Sequence, residues 1–408
     1  MGQIVKLSDL FRIGSSKRVL KAQWKKSGVP FYRGREITKL SQDGAVSNEL
    51  FITEELYEEY AEKYGVPEAG DIVITAIGTI GNSYIVSQGD RFYFKDASVL
   101  WLKRTSDVCS EYINLWLKSP LMRDQLDEGN GATVDTLTIK KLQSLIVDLP
   151  PIPEQKRIVA ILDQAFADID KARALTEQNL KNARELFESY LQQVFSQRGE
   201  GWSQTTLGEL CERMEYGTSA KSKTEGKVPV LRMGNIQDGL LDWKKLVYTD
   251  NDDDIVKLIL EVGDVLFNRT NSPELVGKSA IYRGESPAIF AGYLIRLQRK
   301  KGLLDGEFLN FYLNSRTVRE YGFSVMSHST NQANISGTKL KSYPISLPSL
   351  EMQKEIAARA SSLKTDITRV ENLYREKLAA LDELKKSLLQ KAFTGELTSA
   401  PPKNKDVA

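Results

Sequence analysis

Residues 141–195, KLQSLIVDLPPIPEQKRIVAILDQAFADIDKARALTEQNLKNARELFESYLQQVF, lie without a gap on residues 339–393, KLKSYPISLPSLEMQKEIAARASSLKTDITRVENLYREKLAALDELKKSLLQKAF, at a constant offset of 198. Identical pairs on this diagonal include Leu149/Leu347, Pro150/Pro348, Gln155/Gln353, Lys156/Lys354, Ile158/Ile356, Asp168/Asp366, Ile169/Ile367, Leu191/Leu389, Gln192/Gln390 and Phe195/Phe393. No Pro or Gly interrupts either interior, so each copy reads as one helix, from Glu154 to about Ser196 and from just after Pro348-Ser349 to about Thr394. Apolar residues fall at 158, 162, 165, 169, 172, then 180, 183, 187, 190 and 194 in the first copy. In the second they fall at 356, 360, 363, 367, 370, 374, 381, 384 and 388, with Lys377 skipped. Steps of three and four sustained this long form the heptad seam of a coiled coil. At about 1.5 Å per residue, roughly 43 residues span about 65 Å. Alone, each seam would leave an apolar stripe in water, and pairing within one chain enjoys the highest effective concentration. The seam itself leaves the direction open. A second head must start at Arg198-Gly199-Glu200-Gly201 and the second helix must return, so a compact head implies antiparallel pairing.

Working outward, the segments before each helix also correspond, with drifting offsets. Leu7-Ser8-Asp9-Leu10 matches Leu207-Gly208-Glu209-Leu210, Gly28-Val29-Pro30-Phe31 resembles Lys227-Val228-Pro229-Val230, and Gly70-Asp71-Ile72-Val73 matches Gly263-Asp264-Val265-Leu266. Glu111-Tyr112-Ile113-Asn114 through Ser119 matches Glu307-Phe308-Leu309-Asn310 through Ser315. Loop insertions of a few residues produce such drift. Short β-branched or aromatic runs at 71–76, 84–86, 99–102, 265–267 and 293–297, separated by turn residues, predict strands. One helix is expected in each head, over 110–126 and 306–321. The fold class expected is α+β: two homologous α+β domains separated by two long helices that pair as an antiparallel coiled coil with pseudo-twofold symmetry. The boundaries fall at 1–148, 149–198, 199–346 and 347–398, with a polar tail at 399–408 expected to be disordered.

Composition narrows the function. With 408 residues, 41% hydrophobic and 27% charged, the chain can build two cores. No apolar run reaches membrane-spanning length, the N-terminus lacks a secretory apolar region, and Lys6 stands where a myristoylation signal needs Ser or Thr, so a cytoplasmic protein without membrane attachment is expected. Cys109, Cys211 and His328 are too few for a disulfide framework or a Cys/His metal centre. A net charge of +2 excludes a general polycation but not a basic face confined to one side.

The segment 149–158 (LPPIPEQKRI), its second copy at 347–356 (LPSLEMQKEI), Gly201-Trp202 with Leu207-Gly208-Glu209-Leu210, and the run 388–397 (LLQKAFTGEL) together resemble the specificity (S) subunit of type I restriction–modification systems, the HsdS family. The resemblance covers essentially the whole chain in order. It departs at Ser349, Glu351 and Met352, and in the first head, which lacks the Gly-Trp lead-in. It implies two target-recognition domains, each reading one half of a bipartite, asymmetric DNA site, with the helices setting the spacer. It also implies a non-catalytic chain that binds double-stranded DNA, two modification (methyltransferase) subunits and restriction/translocase subunits. No cofactor is expected on this chain; S-adenosylmethionine and ATP with Mg belong to the partner subunits.

Base readout needs Arg or Lys for guanine and Asn or Gln for adenine, and phosphates need basic and hydroxyl groups. In the first head these types gather at Lys17, Arg18 and Lys21, at Arg33 and Arg35, at Thr79 and Asn82 in a Gly-rich turn, and at Thr133, Thr136 and Lys140. In the second they gather at Arg232 and Asn235, at Asn268, Arg269, Thr270, Asn271 and Ser272, and at Thr330, Asn331, Gln332 and Asn334. Solvated turn chemistry would use the same residues. Gly277-Lys278-Ser279 lacks the earlier Gly of a phosphate-binding loop, Asp252-Asp253-Asp254 has no partner cluster, and His328 has no nucleophile elbow. No Asn-Pro dipeptide of an amino-methyltransferase loop occurs, which argues against methylation by this chain alone. Two other classes are a methyltransferase or nuclease with an unrecognised active site, and a coiled-coil adaptor that binds no DNA.

Overall fold

The computed structural model describes residues 2–127, 136–196, 201–329 and 332–398. Two units emerge: Met1–Thr176 with Glu376–Ala408, and Glu177–Arg375. Each holds one head and one half of each long helix.

In the first unit, Ile72–Thr75 is β-branched throughout and buried along its whole length. Such a strand fits only the interior of a sheet. It lies between Val99–Arg104 and Ser83–Ile85 in a four-stranded antiparallel sheet, with Phe11–Gly14 outside Val99–Arg104. A second sheet orders Phe51–Ile52, Val29–Tyr32 and Tyr93–Phe94, the last pair parallel. Gln3–Lys6 runs antiparallel to Ile146–Leu149, so the first strand of the head closes on the one that leads into the long helix. The second unit repeats this plan. Its four-stranded sheet orders Cys211–Tyr216, Leu294–Arg299, Val265–Asn268 and Ser279–Ile281, and its three-stranded sheet orders Val247–Thr249, Val228–Leu231 and Ile289–Phe290. Ser203–Thr206 closes on Pro344–Leu347. The expected strands are present, with ends shifted by a residue or two.

The single helix expected in each head is two. Ser110–Leu117 gives way to Pro120–Asp127, and Gly306–Asn314 to Arg316–Val325. At each break a serine hydroxyl turns back on the helix: Ser119 Oγ donates to the Trp116 carbonyl and Ser315 Oγ to that of Tyr312, both at 2.6 Å. Pro120, lacking an N–H, can only start the next helix. Two further helices in the first head are Gly34–Asp43, amphipathic with Ile37 and Leu40 buried, and Glu54–Tyr64, with Tyr57 and Tyr60 buried; Thr53 caps the latter by accepting from the Leu56 amide.

The long helices span Ile152–Ser196 and Leu350–Phe393. In the first unit Asp170 pairs with Lys385 at 3.2 Å and Arg173 pairs with Asp382, so one number rises as the other falls, as antiparallel packing requires. In the second unit Arg184 pairs with Glu371 at 2.8 Å. The seam departs from expectation in one respect. Leu384 is 46% exposed, while Thr176 is 1% exposed at a position the sequence seam passes over. The inward positions run 172, 176, 180 and 370, 374, 378, so two four-residue steps follow each other in both copies. This stutter locally relaxes the supercoil and carries the inward face from 384 to 385.

Each helix is latched to its head by the same glutamine. Gln155 is 1% exposed; its Oε1 accepts from the Cys109 amide at 3.0 Å and its Nε2 donates to the Pro150 carbonyl at 2.7 Å. Gln353, fully buried, accepts from the Asp305 amide at 2.8 Å and donates to the carbonyls of Leu303 and Pro348. Around these latches Ile158, Leu162, Leu389 and Phe393 join the first head's core, and Leu191, Ile356 and Ala360 join the second's. A second duplicated pair lies within the heads: Ser83 Oγ donates to Asn114 at 2.7 Å, and Ser279 Oγ to Asn310 at 3.1 Å.

Candidate nucleic-acid interface

In each head the backbone joins two loops that lie far apart in sequence. In the first, Ile77 bridges Thr136 in antiparallel fashion. The preceding residue, Ala76, is clamped on both sides: its N–H donates to the Ser98 carbonyl at 2.9 Å and its carbonyl accepts from the Leu137 amide at 2.8 Å. In the second head the corresponding residues repeat the junction. Thr270 pairs with Asn334 and Asn271 with Ala333. Arg269 donates to the Tyr293 carbonyl at 3.1 Å and accepts from the Ile335 amide at 2.9 Å. One scaffold thus presents Ile77 and Thr136 in the first head but Thr270 and Asn334 in the second.

Around the first junction, Thr79 and Asn82 are tied to the helix Gly34–Asp43. Thr38 Oγ1 lies 2.9 Å from Thr79 Oγ1, and Asn82 Nδ2 donates to Thr38 Oγ1 at 3.3 Å and to the Thr79 carbonyl at 3.1 Å. The basic loop reaches the same edge through the 96–98 turn. Arg18 Nε donates to Asp96 at 2.9 Å while the side chain stays 70% exposed, and the Ala97 amide donates to Ser15 Oγ at 3.2 Å. Lys17 lies 5.7 Å from the Tyr64 ring, and Lys21 is exposed on a 3₁₀ turn, Lys21–Gln23. Lys140 is exposed on the short helix Ile139–Ser144.

Arg33 and Arg35 differ from the solvated residues that the sequence suggests. Both grip the buried Glu36: Arg33 Nη2 at 2.8 Å, Arg35 Nε at 2.5 Å, with Arg35 also bound to Glu49. Burial pushes the Glu36 carboxyl up, but the two guanidiniums outweigh it and hold the carboxyl below its ordinary value. The Arg33 amide donates to Glu36 at 2.9 Å, and the second head has the same turn, the Arg232 amide donating to Asn235 Oδ1 at 2.9 Å. Asn235 is 4% exposed and its amide donates to the carbonyls of Asp242 and Lys244, so it fastens a loop. Asn268, fully buried, likewise donates to the Leu275 carbonyl. Neither can touch a base unless its loop opens. Arg232 itself is exposed and bonded to the Lys245 carbonyl.

At the second junction Asn334 Nδ2 donates to Thr270 Oγ1 at 2.6 Å, Asn271 Oδ1 accepts from the Ser272 amide, and the exposed Gln332 receives Ser329 on its carbonyl. Thr133, Thr330 and Asn331 lie outside the described residues. Two tyrosines that residue type alone does not single out also stand here. Tyr216, 47% exposed, accepts the Gly337 amide on its hydroxyl at 2.8 Å, and Tyr293 is 49% exposed. An exposed aromatic at a strand end beside turn residues was the available signal. Lys339 was also missed: its Nζ donates to the Val325 carbonyl and to Ser327 Oγ, fixing the strand Ser327–His328 that completes the second junction.

Among the described residues no Cys, His, Asp and Glu cluster could hold a metal, and no helix is long and apolar enough to cross a membrane. Burial pushes the Cys211 thiol up to about 12, far from thiolate chemistry. The arrangement offers hydrogen-bond donors, acceptors and cations on two matched loop junctions.

The sequence profile of the type I restriction modification DNA specificity domain matches residues 3–179 and again 199–378. A putative type I restriction enzyme specificity subunit of Haemophilus influenzae is 34% identical over 166 residues, 40% of each chain. The EcoKI specificity subunit of Escherichia coli is 26% identical over 311 residues, 72% of this chain and 66% of that one. The chain therefore spans between two fifths and just under two thirds of the length of these curated relatives. Among solved structures, a chain from work on complex assembly and conformational transition of the type I R-M system superposes with a TM-score of 0.78 at 20% identity, over 97% of this chain and 98% of that one. The HsdS subunit of Thermoanaerobacter tengcongensis does so with a TM-score of 0.63 at 20% identity, over 97% of each. Two profile matches, one on each head with the first part of the helix that follows it, place the chain in the type I restriction–modification DNA specificity family.

Proposed function

We propose that this chain is the DNA-recognition subunit of a type I restriction–modification assembly, and does no chemistry itself. Each head reads one half of a bipartite site, and the paired helices set the gap between the halves. The reading rests on one observation above all: the same backbone junction is built twice and carries unlike side chains, Ile77 with Thr136 and Thr270 with Asn334. A duplicated scaffold with exchanged hydrogen-bonding groups suits the reading of two different base sequences by direct contact. The exposed Lys17, Arg18, Lys21 and Lys140 in one head, and Arg232 in the other, are suited to phosphates. Modification subunits would supply S-adenosylmethionine, and restriction subunits ATP with Mg. Modification subunits, two per chain on this reading, dock on helix faces turned away from the seam.

Gel retardation tests this directly. The complex of this chain with its modification subunits should retard duplex DNA carrying one two-part sequence, in excess over random duplex, while modification subunits alone show no preference. Equal retardation of all duplexes, or methyl transfer by the isolated chain, contradicts it.

A further inference from the structure

We infer that Arg269 reads a guanine in the half-site of the second head; the inference rests on the DNA-recognition reading above. Arg269 occupies the residue clamped between Tyr293 and Ile335 at the centre of the second junction. The corresponding residue of the first head is Ala76, fully buried, so this cation belongs to one head only. Its guanidinium lies over the Tyr216 ring, 4.7 Å from the centroid, and Nη1 donates to the Gly292 carbonyl at 3.2 Å. Its Nε is buried without a hydrogen-bond partner. Among the described residues no carboxylate pairs with it, and Nη2 has no partner.

Its place, not its pairing, sets Arg269 apart: Arg299 in the same unit also has a buried Nε without a partner, but Arg269 lies at the junction over the Tyr216 ring. In the same unit Arg283 pairs with Glu307, and Arg296 with Glu215 and Asp264. A half-buried guanidinium without a counter-ion has lost hydration that an aromatic face only partly returns. An electronegative ligand would complete it. A phosphate can be met by a flexible lysine as a point charge as well as by an arginine fork. A planar fork placed over a tyrosine ring and anchored at one nitrogen has a restricted direction, which suits the O6 and N7 acceptors of a guanine edge. Thr270 and Asn271 follow it in the chain and pair with Asn334 and Ala333 on one small sheet. These are groups that address base edges. The exposed rings of Tyr216 and Tyr293 flank the position.

The test maps methylated sites in cells carrying the complete assembly with wild-type chain, with Arg269→Ala and with Arg269→Met. The methionine keeps an apolar stem on the Tyr216 ring, so a folding defect in the alanine variant does not decide the outcome. One G·C pair in one half of the site should become degenerate, with discrimination at that pair falling about ten- to a hundredfold. The other half and the gap should stay unchanged. An unchanged motif overturns the assignment, as does uniform weakening across all sequences with a shallower salt dependence, the mark of a phosphate contact. If the wild-type chain directs no two-part motif, the recognition reading fails and this inference falls with it; a sound wild-type motif unaltered in the variants sinks the inference alone.

Discussion

The Gln353 side chain uses both ends of its amide without exposing any surface: it accepts from the amide at Asp305, the N-cap of the helix Gly306–Asn314, and donates to two carbonyls. Gln155 does the corresponding work in the first head. Truncating Gln353 to Ala leaves buried backbone groups unsatisfied, so unfolding should become easier by about 1–3 kcal/mol. A urea titration reads this as a lower midpoint at unchanged slope; an unmoved midpoint would show that water or a neighbour replaces the latch. The identity of Gln155 and Gln353 was visible on the diagonal, but nothing there distinguished a buried latch from a docking residue, because the partners are backbone groups some 46 to 50 residues away. Arg33 and Arg35 teach the converse. Their types suggest DNA, while Glu36, three residues on from Arg33 and one from Arg35, pairs with both.

Along the long helices the two copies exchange roles. Arg173 pairs with Asp382, and at the positions 198 residues away Glu371 pairs with Arg184. Likewise Lys385 lies 4.8 Å from the Phe166 ring, and Lys364 lies 5.5 Å from the Phe187 ring. Cation and partner have changed helices each time. Two first helices packed together in this register would oppose Arg173 with Arg184, and two second helices would oppose Glu371 with Asp382. The pattern therefore favours pairing unlike copies. Arg184→Glu should cost about 0.2–1 kcal/mol or more, given the modest worth of such pairs and the new repulsion, and adding Glu371→Arg should recover most of it. Absence of coupling in that double-mutant cycle would contradict the exchange. Burial pushes Glu371 up, but Arg184 and Arg375 together hold it below its ordinary value. A depressed carboxylate stabilises the fold above its unfolded pKa, so the coupling should be present at pH 7 and fade as pH drops below about 4.3 and through the lower folded value. The heptad period was readable because apolar spacing reports it directly. The stutter was not, since a buried Thr176 looks polar and an exposed Leu384 looks apolar in sequence.

For the molecule as a whole, the duplication and the α+β heads followed from the repeat and its drifting offsets. The loop junctions did not. Ile77 with Thr136, and Thr270 with Asn334, are brought together by backbone pairing across some 60 residues, and period or composition carries no trace of it. On the proposed reading the heads choose the bases and helix length chooses the gap. A heptad inserted into each long helix near Thr176 and Tyr374 adds about 10 Å, or up to three base-pair steps of about 3.4 Å. The most direct measurement is single-molecule mapping of methylated positions in genomic DNA, with the wild-type chain and with that insertion. A two-part motif with a gap of fixed length should appear only when the chain is present, and the insertion should lengthen the gap while leaving both halves unchanged. A contiguous motif, or a gap indifferent to the insertion, would contradict two heads reading DNA at a separation set by paired helices.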